Sequence, residues 1–310
     1  MLFWGSKLNV GVGRKTPQHF LIKGIKKLSK NLISRLIFSA TKTIRLPSIF
    51  CRCSVCERAR AAGGRNLQSR SQALVDDTLL IDFPPDTVFH VFHMGLPLHK
   101  INHCLITHAH ADHFFPADIE SRNSYVGLCH NNPNRFTLYG TQPVYQAYQW
   151  LEKKCGFDRE DSPVVFRIIK PFESFQVEGY CITPLLADHD QSAGSVIFLI
   201  EKDGKIILWG HDTGVFPQES WDYLNEHKPF LNVVSLDCTL GGRDCEKGHM
   251  GFPNCRKVFE RLKTMNCVNE TSIGVVSHFS HNGRWIYDDA AQVAYAAKFL
   301  AAYDGMQIDF

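Results

Sequence analysis

The sequence predicts a mixed α/β chain folded as a sandwich of two sheets with helices outside. Two observations carry that expectation. Apolar runs of strand length recur through residues 78–278, and one adjacent pair is joined as a hairpin across Asp203-Gly204. Their order is hairpin-rich strands closed by a helix, then the same again, which suits a doubly wound parallel sheet less well. At 310 residues and 44% hydrophobic, the chain can bury a large core as one big domain or at most two.

The elements follow in order. Residues 1–13 read as a short first strand and a Gly-containing turn. Residues 19–42 have helical periodicity: Leu21, Ile25, Leu28, Leu32 and Leu36 fall on one face, and Lys23, Lys26, Lys27 and Lys30 on the other. Such a helix can rest on an anionic membrane or bind nucleic acid; packing on its own body or on a partner subunit, as in a homodimer, is the favoured expectation. Residues 57–72 read as a helical turn and a polar loop. Thr78 to Phe83 is a buried strand stopped by Pro84-Pro85, and Cys104–Thr107 is another. Phe136–Gly140 is a strand, and Thr141 caps a helix running to Gly156 with Pro143 in its first turn. Strands follow at Val164–Lys170, Tyr180–Leu186, 195–200, 205–209, Asn232–Thr239 and Ser272–His278. Helices are expected at 218–227 and Cys255–Met265, then a long one through about Tyr303 before a last strand, Met306–Phe310.

Charge is unevenly spread. Eleven of the 34 Lys and Arg lie in residues 1–56, which contain no Asp or Glu, so the remainder has 23 basic against 31 acidic residues and a net charge of −8. The eleven cysteines are an odd number in a chain too large to need disulfide staples, and no secretory signal pattern opens it. Reduced thiols in a cytoplasmic setting are the expectation. No run of about 18 apolar residues is present to span a membrane.

Chemistry concentrates in Thr107-His108-Ala109-His110-Ala111-Asp112-His113, where three imidazoles and a carboxylate follow an apolar strand. These are the usual ligands of zinc, manganese and iron(II). Leaving four such groups unpaired beside a core strand would be costly. Further ligand-type residues recur where apolar strands end, at His189, Asp212 and His278. Strand ends at one rim of a sandwich converge, so the seven residues can hold two metals. A second cluster, Cys51-Arg52-Cys53-Ser54-Val55-Cys56, has the spacing to wrap one tetrahedral zinc with a fourth ligand from elsewhere.

The pattern His108-x-His110-x-Asp112-His113, then His189, Asp212 and His278, resembles the metallo-β-lactamase superfamily of binuclear hydrolases. Asp82, at the end of TLLIDF, matches that superfamily's first-motif aspartate, which braces the site. The resemblance implies a four-layered αββα fold over residues 1–310 as a single domain, with residues 15–48 a basic amphipathic insertion. It implies one metal on His108, His110 and His189, and a second on Asp112, His113 and His278, with Asp212 bridging. Within the superfamily, Cys51, Cys53 and Cys56 with His281 are similar to the structural zinc site of the phosphoribosyl cyclic phosphate phosphodiesterases. His249 corresponds to their active-site histidine outside the metal shell. What this implies is a phosphodiesterase with two divalent ions, zinc or manganese, a structural zinc, and a small, even cyclic, phosphodiester as substrate.

Three other readings use the same residues. Thioester or lactone hydrolysis needs the same ligands. A tRNA-processing nuclease would use the basic arm on RNA, although no aromatic-interleaved platform accompanies it. A metal-stabilised binding module would need no turnover at all.

Overall fold

The computed structural model describes residues 34–40 and 46–310, all within one compact unit. Among them, two seven-stranded mixed sheets pack face to face. The first holds β1 (Arg35–Ala40), β2 (Gln72–Val75), β3 (Leu79–Ile81), β4 (His103–Leu105), β5 (Phe136–Gly140), β6 (Val164–Ile168) and β14 (Met306–Asp309), in the order β14-β1-β2-β3-β4-β5-β6. The second holds β7 (Phe175–Val177), β8 (Tyr180–Leu186), β9 (Val196–Lys202), β10 (Lys205–Gly210), β11 (Val233–Asp237), β12 (Ile273–Ser277) and β13 (Phe299–Ala301), in the order β13-β12-β11-β10-β9-β8-β7.

Alternation along these strands builds three apolar layers. Leu36, Phe38, Leu79, Ile81 and Leu105 of the first sheet meet Ile182, Phe198, Ile207 and Trp209 of the second. The Phe38 and Trp209 rings lie 5.5 Å apart at the middle of that layer. The opposite face of the first sheet, with Leu80, Cys104 and Leu138, packs on α3 (Gln142–Cys155) through Val144, Tyr148 and Leu151. The outer face of the second sheet, with Leu199, Leu208, Val234 and Val276, packs on α4 (Gln218–His227), α5 (Phe252–Thr264) and α6 (Tyr287–Ala296). Helix, sheet, sheet, helix: the four-layered sandwich is the observed architecture. No described helix is long and apolar enough to cross a membrane.

Several expectations change. The helix expected over residues 19–42 is a strand where it is described, because β1 runs from Arg35 to Ala40. Leu36 and Phe38 alternate into the core while β1 pairs with both β14 and β2, so two-sided sheet pairing overrides the helical spacing. The rest of that segment and the strand expected at 1–13 lie outside the described residues. The long helix towards Tyr303 ends at Ala296. Lys298 turns the backbone at φ 63°, and β13 then pairs in parallel with β12, burying Phe299 and Ala301. The polar stretch at 57–72 gives more structure than a helical turn: α1 spans Ser54–Ala62, and β2 starts at Gln72. The helix α2 (Thr87–Met94) was not anticipated.

The topology collects strand ends. β3 and β4 run parallel in one sheet, and β10, β11 and β12 run parallel in the other. β8 joins the latter direction, since both β8 and β10 pair antiparallel with β9. Three residues just past these ends, Asp82, Asp212 and His278, have φ values of 64°, 48° and 66°. Non-glycine residues adopt that left-handed region at a cost, one met most often at functional sites.

Candidate metal centre

Asp82 follows β3, and its carboxylate organises the loop after β4. It accepts hydrogen bonds from Thr107 N–H at 2.8 Å, from the Thr107 hydroxyl at 2.9 Å, and from His113 Nδ1 at 2.7 Å. Since Thr107 donates to Asp82, its oxygen accepts from His108 Nδ1 at 3.0 Å, which leaves His108 Nε2 as the lone-pair nitrogen. The same logic repeats across the rim. The Thr239 hydroxyl donates to the His278 carbonyl at 2.8 Å and accepts from His278 Nδ1 at 2.9 Å. His189 Nδ1 donates to the Gly248 carbonyl at 3.1 Å, and His110 Nε2 faces Asp190 at 3.1 Å.

Each of the five imidazoles therefore has one nitrogen tied outward and the other turned inward. The inward nitrogens crowd together: His113 Nε2 is 3.2 Å from His278 Nε2, and His189 Nε2 is 3.3 Å from His110 Nδ1. Asp212 stands among them, its Oδ2 against His113 Nε2 and 3.0 Å from His278 Nε2. His108 Nε2 and both Asp212 oxygens are buried, and no donor is aligned to hydrogen-bond them. Imidazole nitrogens crowded against one another around a carboxylate that no donor is aligned to satisfy form a poor hydrogen-bond network and a good cation cage. His108, His110 and His189 make one compact ligand set, and His108, His113 and Asp212 another. Asp112 stands at the edge, its Oδ2 3.9 Å from His113 Nε2.

Electrostatics agree with a site built for positive charge. Burial disfavours charged rings at His113 and His278, yet the Asp212 carboxylate beside them wins. It holds His113 well above the usual histidine value and pushes His278 up to about 9. Burial would raise Asp212, but His278 and His113 keep it well below the carboxylate range. Burial keeps His108 neutral, with its pKa well below the ordinary value.

Sequence reasoning missed Asp237. It ends β11, fully buried, with Oδ2 accepting from His249 Nδ1 at 2.9 Å and lying 3.3 Å from His278 Nδ1. Burial opposes charge on His249, and the Asp237 carboxylate more than offsets it, raising its pKa above the usual histidine value. A signal was present: the apolar run NVVSLD ends in aspartate as TLLID does. His211, buried between Trp209 and Ser235, was passed over too; its ring centroid is 3.9 Å from that of Trp209, and Nε2 is 2.8 Å from the Ser235 hydroxyl.

The thiols gather elsewhere. Cys51, Cys53 and Cys56 lie at the start of α1, and the structure brings His281 to them. Cys56 Sγ is 3.4 Å and Cys53 Sγ 3.9 Å from His281 Nδ1. All four ligand atoms lie within 4.8 Å of one another, as a tetrahedral ion requires. A backbone hydrogen bond from Cys56 lowers the Cys53 pKa, whereas burial raises that of Cys56 to about 11.

A family model described as beta-lactamase superfamily domain matches residues 78–270. The chain belongs to that superfamily. Its matched span runs from β3 through α5 and contains every rim ligand except His278. Among solved structures, the chain is similar to a diphosphatase from the PhnP family, at 20% identity and a TM-score of 0.69 over 90% of this chain and 98% of that one. It is similar to Zn2+-bound PqqB from Methylobacterium extorquens, at 18% and 0.66 over 89% and 100%. Human tRNase Z, short form, gives 16% and 0.58 over 88% and 98%. At these identities the likeness is one of fold. No curated protein matches the chain. Superfamily membership puts the chain among metal-dependent hydrolases, and the fold implies divalent ions that the inward-facing donors fit.

Proposed function

We propose that the protein is a phosphodiesterase acting on a small, cyclic or linear, phosphodiester. Two divalent ions, zinc or manganese, would be held at the rim. His108, His110 and His189 hold one, Asp112, His113 and His278 the other, and Asp212 lies between them. Bound there, the ions supply Lewis acidity and a water of lowered pKa. The chain's own residues do the rest. Asp82, Thr107 and Thr239 engage Nδ1 of His108, His113 and His278, so that each turns Nε2 inward, where its lone pair would bind an ion.

The observation that carries the phosphodiester reading is the Asp237–His249 pair. With Nδ1 engaged by Asp237, His249 has Nε2 to hold a proton, and that carboxylate, offsetting burial, raises its pKa above the usual histidine value. A departing alkoxide needs such a donor. A phosphodiesterase of the PhnP-like fold accounts also for the thiol cluster, which would hold a structural zinc on Cys51, Cys53, Cys56 and His281 and tie α1 to the turn after β12. All eleven cysteines are free, which supports a reducing, cytoplasmic setting. The test is His249→Ala. Turnover of bis(p-nitrophenyl) phosphate should fall roughly a hundredfold or more with the metal content unchanged. Undiminished diester turnover would remove His249 from the chemistry, and activity confined to thioesters or lactones would move the reaction away from phosphorus.

A further inference from the structure

Asp237 fixes the ring of His249, but a different carboxylate holds the backbone that brings the ring to the rim. Asp188 lies in the loop after β8, one residue before His189. Its Oδ2 accepts a hydrogen bond from Gly248 N–H at 3.0 Å, and its Oδ1 lies 3.5 Å from the Lys247 ammonium. The Gly248 carbonyl is held as well, by His189 Nδ1 at 3.1 Å. Adjacent residues of one metal-ligand loop thus grip both polar groups of the residue preceding His249.

Asp188 is anchored in turn to the loop that carries Asp212. Its N–H donates to the Thr213 hydroxyl at 2.9 Å, and its carbonyl accepts from Gly214 N–H at 2.9 Å. Val215 N–H donates to the Glu246 carbonyl at 2.8 Å, which closes the junction. Gly214 makes the crossing feasible, because a Cβ there would collide with Asp188 Oδ2, the Glu246 carbonyl and Gly248 N. Three loops meet at this point: those bearing His189, Asp212 and His249.

Gly248 needs the hold. It sits at φ 71°, which glycine adopts freely, and a Cβ built on it would find nothing within 4 Å. Hydrogen bonds rather than packing define its position. A carboxylate accepting a backbone N–H makes one of the stronger bonds of this kind. The Asp188 carboxylate is already committed, with Oδ2 on Gly248 N–H and Oδ1 towards the Lys247 ammonium.

We propose that Asp188 is a positioning residue that sets, through Gly248 N–H, where His249 stands against Asp212 and the inward-facing imidazoles. The proposal rests on the role given to His249 above. It makes the ligand loop of His189 the element that places the proton donor.

The experiment is a double-mutant cycle on the metal-loaded protein with bis(p-nitrophenyl) phosphate. Asp188→Ala should lower kcat roughly tenfold to a hundredfold, as misplacing a catalytic group does. KM and metal content should stay unchanged. Asp188→Asn, which still offers an oxygen to Gly248 N–H, should recover most of the loss. Lys247→Ala should change kcat by less than about twofold, as expected of an exposed ion pair. In a His249→Ala background, Asp188→Ala should cost nothing further, because its effect passes through His249. Amide exchange across residues 244–251 should quicken in Asp188→Ala and not in Asp188→Asn, a readout independent of turnover. Multiplicative losses in the double variant, or loss of rim metal in Asp188→Ala, would overturn the proposal while leaving His249 in place. Full diester turnover by His249→Ala alone would instead remove the role given to His249, on which the proposal rests.

Discussion

The two ligand clusters of this molecule are built on opposite plans. At the rim, each imidazole has a partner behind it: Asp82 behind His113, Thr107 behind His108, Thr239 behind His278, Gly248 behind His189 and Asp190 behind His110. His108, His113, Asp212 and His278 are almost wholly buried. The thiol cluster is backed by packing instead. Cys53 is exposed, Cys53 N–H donates to Cys51 Sγ, and one side of the cluster is closed by Leu46, Val55, Ala59 and Ile286, among which Cys56 is buried and against which Cys51 packs. Pre-orientation of donors is what a reacting centre needs, since its geometry must hold while a substrate changes. A structural ion can itself pull its ligands into place. The contrast supports the proposal that the rim does the chemistry and the thiols tie the chain.

The sharpest way to break that contrast is at the carboxylate that His113 and His278 share. Asp212→Ala should abolish binding of the ion pair and lower hydrolytic turnover by about a thousandfold or more, because the site loses the buried carboxylate that stands among the inward-facing nitrogens of His113 and His278. Metal analysis should still find the ion at Cys51, Cys53, Cys56 and His281. A variant that keeps both rim ions refutes the bridging role.

A smaller effect follows from the backing residues. Asp82→Asn leaves every inward nitrogen in place but weakens the hold on His113 and Thr107. Metal affinity at the rim should drop by roughly tenfold to a hundredfold, read by titration against a chelator.

The smallest effect is a proton count. Burial opposes charge on both rings, but the Asp212 carboxylate pushes His278 up to about 9 and raises His113 above the usual histidine value, so without a cation the inward side favours protons. Raised values mean the protons are present below the shifted pKa and leave only as pH climbs through it. Metal loading at pH 7 must therefore displace them, and rim affinity should fall as pH drops. Calorimetry in buffers of different ionisation enthalpy measures the release. Uptake without proton release would show that the rim imidazoles are already neutral.

Much of this was readable from residues. Strand ends at Asp82, Asp212 and His278 were recognisable because apolar runs stop there abruptly, and the helix between Thr141 and Gly156 lies where expected, although the Thr141 hydroxyl donates to the Gly194 carbonyl instead of capping it. What escaped was decided by distant partners. β1 carries spacing compatible with a helix and is made a strand by β2 and β14. The Ala-rich segment before Phe299 keeps its helical periodicity past the point where pairing with β12 takes over. Asp237 went unread because a carboxylate behind a histidine has no motif of its own; its role exists only once β11 ends beside His249 and His278. Asp112 is the converse, a motif residue that the fold leaves at the border of the compact set.

The claim that the two clusters do different work is tested most directly by Cys53→Ala, with bound metal and diester turnover measured on the same sample. The thiol ion should be lost while the rim pair and most of the turnover remain, with thermal stability reduced. An unchanged metal content, or turnover abolished with the rim ions still bound, would contradict it.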